Sequence, residues 1–263
     1  MKIALLLLFG LSRLLAADAA RDARWRQYLD TLTNQLPALH PNLFFQTPSS
    51  EFFRAANELS NAIPDLSDAE VMVGLARIAA LPGDGHTSLS LTQRNSSFRL
   101  LPLQLRWFED GLFVIAACQS YARALGSKVI QIGDRPLDEA YQAVAGIVSH
   151  ENDIWVREVS PNYLVNADIL RALKIAPSAE SVRFVLEELS GNRFTLDVAS
   201  LDPGGSAKWV TAPDANTGFI PFYRQQTNRN YWFTYIESSR TLYFASWACS
   251  ARASRSSSAR RSA

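Results

Sequence analysis

The order of secondary-structure elements is decided by residues 101–137, which read LPLQLRWFEDGLFVIAACQSYARALGSKVIQIGDRPL. Apolar side chains alternate with polar ones from Leu101 to Trp107, which is the period of a half-buried strand. Glu109-Asp110-Gly111 supplies a turn, and Leu112 to Ala117 is a candidate for a buried strand. These features predict two antiparallel strands at the start of a β-rich module.

The second half of this stretch adds a short helix, a strand and a longer helix. Tyr121 to Leu125 suits a short helix, and Val129 to Ile132 suits a buried strand. Gly133-Asp134 forms a turn, and Pro136 to Val148 has one apolar helical face. This order is found in PDZ domains, which bind an extended peptide beside a strand and the longer helix. An ordinary β-rich domain without a ligand shares the same order.

The flanking segments extend this pattern on both sides. Residues 21–81 predict three helices, the first stopped by Pro37 and Pro41 and the last capped by Ser67, with Glu70 three residues on. Residues 149–180 predict a helical insertion, and 181–198 predict a hairpin across Gly191-Asn192. Pro, Gly and polar residues make 201–226 a long loop, and aromatic strands are expected at 231–235 and 241–244.

Composition excludes several classes of protein. The net charge of +1 lacks the basic excess of a nucleic-acid-binding face. Two cysteines make no disulfide framework. Residues 1–20 combine Lys2, a short apolar run and an alanine-rich segment, which is typical of an export signal, although a buried N-terminal helix is the alternative. We expect an exported protein, periplasmic or secreted, without an integral membrane span.

Gly83-Asp84-Gly85-His86-Thr87 is the stretch that most resembles a chemical site. Asp84 could orient His86, and a held imidazole can act as a general base. The same residues also suit a plain helix-ending turn in which Asp84 caps the backbone. The other histidines, His40 and His150, show no metal-ligand spacing, so we expect no metal. No nucleotide fingerprint is present either, so we expect no cofactor.

Four segments resemble, in this order, the front half of tail-specific (C-terminal processing) serine peptidases of the tricorn-like group. They are residues 39–45 (LHPNLFF), 83–87 (GDGHT), 107–114 (WFEDGLFV) and 149–152 (SHEN). The resemblance implies an α+β fold with an N-terminal helical unit, a PDZ-like module and the start of an α/β catalytic core. The domain limits implied are 1–20 signal, 21–92 helical unit, 93–226 PDZ-like module with insertion 149–180, 227–247 first core strands and 248–263 tail.

The resemblance also implies a mechanism and a partner. One branch of the family uses a Ser–Lys dyad, and the tricorn-like branch pairs a core serine with an upstream histidine. His86 is similar in position to that histidine, with Asp84 as its orienting residue. The partners implied are unfolded or C-terminal peptide segments of proteins. Such a peptide would add along Leu103, Gln104 and Leu105, with its terminal carboxylate near Leu101.

The chain departs from the family after Trp247. The family continues into a glycine-rich stretch with the nucleophilic serine, whereas 248–263 contains only Ala, Ser, Arg and one Cys. This composition predicts a disordered tail and a truncated or frameshifted reading frame that is inactive as given. The alternative function is an exported peptide-binding module without catalysis.

Overall fold

The computed structural model describes residues 2–92, 97–202, 208–211, 222, 225–226 and 229–246, with side chains from Asp18 onwards. The chain consists of two compact units, Met1–Ala212 and Pro213–Ala263. Helices and antiparallel sheet together make an α+β fold, which confirms the predicted fold class. Among the described residues, no helix combines the length and apolar character required to cross a bilayer.

Three helices begin the first unit, as predicted. They are α1 (Lys2–Leu39), α2 (Ser49–Ala62) and α3 (Asp68–Ala80). Their apolar faces bury a shared cluster that includes Leu29, Phe52, Ile63, Val71 and Ile78. The capping box at the start of α3 is present, because the Ser67 N–H donates to Glu70 Oε2 at 2.8 Å and the Glu70 N–H donates to Ser67 Oγ at 3.4 Å.

The first helix is longer than the sequence predicted. It runs through Pro37, the first of the two prolines expected to stop it, and ends at Leu39, before Pro41, the second. A proline removes one N–H from the helical ladder, but in the last turn little helix remains to be disturbed. The His40 N–H still donates to the Leu36 carbonyl at 3.0 Å. Residues 2–20 are helical. A helical backbone is expected both for an export signal and for a helix of the folded domain, so the signal stays a prediction.

The first unit also contains one antiparallel sheet. Its strands are β1 (Leu103–Phe108), β2 (Gly111–Cys118), β3 (Lys128–Ile132), β4 (Arg135–Pro136), β5 (Ser181–Glu187), β6 (Arg193–Ala199) and β7 (Trp209–Thr211). The order is β1-β2-β3-β5-β6, with β4 on β3 and β7 on β2. Strand β1 therefore lies at the edge. The predicted strands are all present, but β7 lies where a loop was expected, because Ala116–Cys118 of β2 supplies it with a partner.

Three further helices pack on this sheet. They are α4 (Leu137–Ala145), α5 (Asp153–Leu164) and α6 (Ala167–Ala172), and the last two confirm the helical character of the insertion. Gly133, with a φ of 56°, makes the turn before β4, and a Cβ there would lie 2.1 Å from the Ile175 carbonyl oxygen. Helix α4 packs against β3, whereas α5 packs against the edge strand β1.

The second unit contains the aromatic hairpin that the sequence predicted. Strands β8 (Tyr231–Ile236) and β9 (Thr241–Ser246) pair antiparallel. Trp232 is buried, whereas the other face of the hairpin exposes Tyr231, Phe233, Tyr235, Leu242 and Phe244. The tail at 248–263, predicted to be disordered, lies outside the described residues.

Candidate functional site

The Gly83–Thr87 loop follows the C-terminal end of α3. Gly83 has a φ of 71°, a left-handed conformation, and a Cβ there would lie 2.9 Å from Gln46 Oε1. Its N–H donates to the Ala80 carbonyl at 3.0 Å. The glycine therefore ends the helix and turns the chain so that Asp84 lies beside the loop after α1.

Asp84 is the centre of a hydrogen-bond network. Its Oδ2 accepts from Thr87 Oγ1 at 2.7 Å and from His40 Nε2 at 2.9 Å. Its Oδ1 accepts from the His86 backbone N–H at 3.0 Å. These bonds, led by the one from Thr87, hold the pKa of the Asp84 carboxyl far below its usual range. Asp84 is therefore a carboxylate throughout the neutral range.

His40 is the histidine that Asp84 holds most closely. Its Nδ1 accepts the Asn42 N–H at 3.1 Å, so the proton of a neutral ring lies on Nε2, where it is donated to Asp84. Both ring nitrogens are thus occupied, and the side chain is only 20% exposed. Reasoning from the sequence assigned this residue no role, since 44 positions separate it from Asp84.

His86 has the opposite environment. Its side chain is 95% exposed, and its Nδ1 lies 3.6 Å from Asp84 Oδ1. Within the described part of the chain, no side chain hydrogen-bonds its Nε2. The imidazole therefore lies near a carboxylate without a hydrogen bond to it, and its Nε2 is open to solvent. The roles of His86 as base and Asp84 as its orienting residue stay predictions.

Glu151 joins the same cluster from the loop before α5. Its Oε1 accepts the Gly85 N–H at 3.1 Å. His40, Asp84 and Glu151 line one cavity of about 220 Å³. They belong to three of the four segments that carry the family resemblance, so the fold brings these distant segments together.

The cluster also contains side chains that can ligate a cation. Asp84, His86 and Glu151 bring one ligand atom each within 4.8 Å of one another. However, both Asp84 oxygens and Glu151 Oε1 already accept hydrogen bonds from the protein. A cation would have to compete with these donors, and the arrangement is explained without one.

A second candidate site is a groove of about 660 Å³ between β1 and α5. Leu103, Gln104 and Leu105, the predicted peptide-binding residues, all line it. The leucine side chains are buried in the core, so these two residues offer their backbone to the groove, whereas Gln104 is exposed. Peptide contact at the three residues stays a prediction.

The outer edge of β1 is available for pairing. The Val114 N–H donates to the Ser127 carbonyl and its own carbonyl accepts from the Gly126 N–H, so Val114 faces away from β1. Leu105 is opposite Val114 and Trp107 is opposite Leu112. By the alternation of antiparallel ladders, Leu105 and Trp107 direct their backbone groups outward, while Gln104 and Arg106 bond to β2.

Helix α5 is fixed to this strand through Trp107. The indole Nε1 donates to Ser160 Oγ at 3.1 Å, and the Arg157 guanidinium lies 5.3 Å from the ring centroid. Tyr141 of α4 contacts the same indole edge to face at 5.4 Å. The groove was expected beside 136–148, but the groove beside β1 is lined by residues of α5 and by none of α4.

Comparison with known proteins finds similarity to solved structures of CPAF. No protein-family model and no curated protein sequence matches this chain. Mature CPAF, a chlamydial serine protease, matches with a TM-score of 0.46 and 12% identity over 68% of this chain. Its complex with lactacystin matches with the same TM-score, identity and coverage of this chain. A serine-to-alanine CPAF variant matches with a TM-score of 0.48 and 12% identity over 69%. The chain spans about a third of the length of these proteins, 34–35%. The values describe a distant, partial likeness of fold.

Proposed function

We propose that this chain is the substrate-binding part of an exported serine-type peptidase, and that it binds extended peptide along β1. The observation that carries the proposal is the outer edge of β1, which pairs with no other strand of the described residues and faces α5 across a groove of about 660 Å³. Exposed strand edges are templates for a further strand. Peptide recognition by strand addition uses such an edge, with side-chain pockets formed by a neighbouring helix.

The walls of the groove suit an extended chain of mixed composition. Arg106 and Arg157 oppose Glu109 and Glu158 in the lining, so neither sign of charge dominates. Ile154 is 80% exposed and supplies an apolar surface on the α5 side. Affinity would come mainly from backbone hydrogen bonds, so we expect micromolar dissociation constants, about −8 kcal/mol.

A pair of substitutions on α5 tests this proposal. Ile154→Arg places a long charged side chain in the groove, whereas Trp155→Arg changes a neighbouring exposed residue that does not line it. Titration with fluorescent unfolded peptides should show about tenfold weaker binding for Ile154→Arg and unchanged binding for Trp155→Arg. Equal effects of the two substitutions, or no binding by the parent protein, would refute peptide binding at this groove.

A second candidate function is catalytic, and it distinguishes a peptidase from a plain binding module. His86 is exposed, with Asp84 3.6 Å from its Nδ1, so it could accept a proton from a serine supplied by another segment. The meeting of His40, Asp84 and Glu151, drawn from three segments of the family resemblance, supports this role.

The catalytic role is tested on the protein as its host produces it. His86→Gln should lower casein cleavage by about 100-fold or more, because a general base contributes roughly 10²–10⁴ in rate. His150→Gln is the matched histidine control and should retain full activity. Cleavage that survives His86→Gln, with normal circular dichroism, would leave the Ser–Lys mechanism as the explanation, whereas absence of cleavage by the parent protein would favour the binding module.

We also propose that the protein is exported, with residues 1–20 acting as the signal. The support is the sequence of this segment, a lysine followed by a short apolar run and an alanine-rich site. N-terminal sequencing of the mature protein should begin near residue 20. An intact Met1 on protein recovered from the cytoplasm would contradict export.

A further inference from the structure

We infer that the β1–α5 groove binds internal segments of an extended peptide and does not recognise a free C-terminal carboxylate. The inference rests on the proposed peptide binding and specifies its substrate class. It concerns the end of the groove at Leu101, where the C-terminus of a peptide antiparallel to β1 would lie. The family resemblance implied a carboxylate cradle at this end, and the hydrogen bonds of the structure argue against one.

The backbone donors that such a cradle needs are already used. The Leu101 N–H donates to the Val165 carbonyl at 2.8 Å. Pro102 has no N–H. The Leu103 N–H donates to the Leu101 carbonyl at 2.8 Å. Three successive residues at the start of β1 therefore offer no free amide, whereas carboxylate recognition depends on several such donors.

The charges at this end are also unfavourable for a carboxylate. The Arg99 guanidinium is paired with Asp168, Nη2 to Oδ1 at 2.9 Å, and the Arg99 N–H donates to Asp168 Oδ2 at 2.6 Å. Helix α5 ends here, since its C-cap residue Val165 is the one that accepts the Leu101 N–H. The C-terminus of a helix carries partial negative charge, which would repel the terminal carboxylate of a bound peptide.

Among the described residues, one buried donor near this end is unpaired, but it is out of reach. Asn166 Nδ2 has no hydrogen-bond partner within the part of the chain that the structure describes, while Asn166 Oδ1 caps the Ile169 N–H. Asn166 is fully buried and does not line the groove. A terminal carboxylate in the groove could not contact it without opening the packing of α6.

A peptide in the opposite direction meets the same difficulty. Running parallel to β1, it would place its C-terminus at the Phe108 end, where the Glu109 carboxylate lines the groove. Repulsion between like charges disfavours an anion there. In both directions a neutral peptide bond suits the groove ends better than a charged terminus, so the ligand is a segment within a longer unfolded chain.

The test compares three forms of one apolar peptide that binds the parent protein. They carry a free C-terminus, a C-terminal amide, and a Gly-Ser extension beyond the original C-terminus. We expect the three dissociation constants to agree within about threefold, since no group reads the terminus. In a groove that reads the carboxylate, losing charge-assisted hydrogen bonds weakens binding by about tenfold or more.

The outcomes separate this inference from the proposed function. Tenfold or greater weakening by amidation or extension would overturn the inference and leave peptide binding intact. Failure of all three forms, and of every other peptide in the series, would overturn both. Equal binding that is lost in Ile154→Arg and kept in Trp155→Arg supports both, because the peptide then occupies the groove without its terminus being read.

Discussion

At the scale of single residues, the structure gives different environments to two histidines near one carboxylate. His40 uses both ring nitrogens, one to accept the Asn42 N–H and one to bond Asp84, and it is mostly buried. His86 contacts Asp84 only at 3.6 Å and is exposed. We therefore assign His40 to stability, whereas His86, the histidine that the sequence analysis singled out, stays the predicted base.

Alanine substitution of each histidine separates these roles. His40→Ala removes two hydrogen bonds at a mostly buried position, so the free energy of unfolding should fall by about 1–2 kcal/mol. His86→Ala removes an exposed side chain and should change it by less than about 0.5 kcal/mol. Urea denaturation of both variants checks this, and equal losses would show that the assignment is wrong.

The Asp84 carboxylate should make stability depend on acid pH. Its pKa is lowered in the folded protein by bonds from Thr87, His40 and the His86 N–H, while the unfolded value is about 3.9. A depressed folded pKa contributes stability above the unfolded pKa, and this is lost as pH falls toward the folded pKa. The stability advantage of the parent over Asp84→Asn should therefore shrink between about pH 5 and pH 3. An advantage that grows over this range would contradict the network.

The sequence predicted the Gly83–Thr87 loop but not its partners. A glycine at positive φ and an aspartate that bonds its own loop are local features, which a sequence pattern can reveal. His40 and Glu151 lie 44 residues before Asp84 and 66 residues after Gly85, respectively, and reach the loop only through packing of α1 and the loop before α5. Only the shared family resemblance of their segments pointed to them.

At the scale of elements, the decisive feature is the contact between β1 and α5. The strands were predictable because period-2 alternation and the Glu109–Gly111 turn are local signals. The placement of α5 was not, because the segment 149–180 carries no signal for the surface on which it packs. The anchoring contact, Trp107 to Ser160, joins residues 53 positions apart.

A double-mutant cycle measures this anchor. Ser160 is fully buried, so Ser160→Ala leaves the Trp107 indole N–H without its partner and should cost about 1–2 kcal/mol of unfolding free energy. In a Trp107→Phe background the N–H is absent, and the same change should cost less than about 0.5 kcal/mol. Urea denaturation of the four proteins gives the coupling. The same Ser160→Ala cost in both backgrounds would mean that the hydrogen bond does not join α5 to β1.

At the scale of the whole molecule, the chain contains two compact units. The first holds the two candidate sites, and the second contains the aromatic hairpin. The hairpin exposes Tyr231, Phe233 and Phe244 on one face. The first unit holds both the His40–Asp84–Glu151 cluster and the β1–α5 groove, so the proposed peptide binding and the proposed base belong to one compact unit.

The most direct test of strand addition is amide hydrogen exchange in β1, resolved by residue with and without a bound peptide. Leu105 and Trp107 face outward, so their amides should exchange more slowly when a peptide pairs with the edge. Gln104 and Arg106 already bond to β2 and serve as internal controls, with unchanged exchange. Peptide binding that protects Leu105 and Trp107 alone is the predicted result. Binding that leaves both amides unprotected would contradict strand addition along β1.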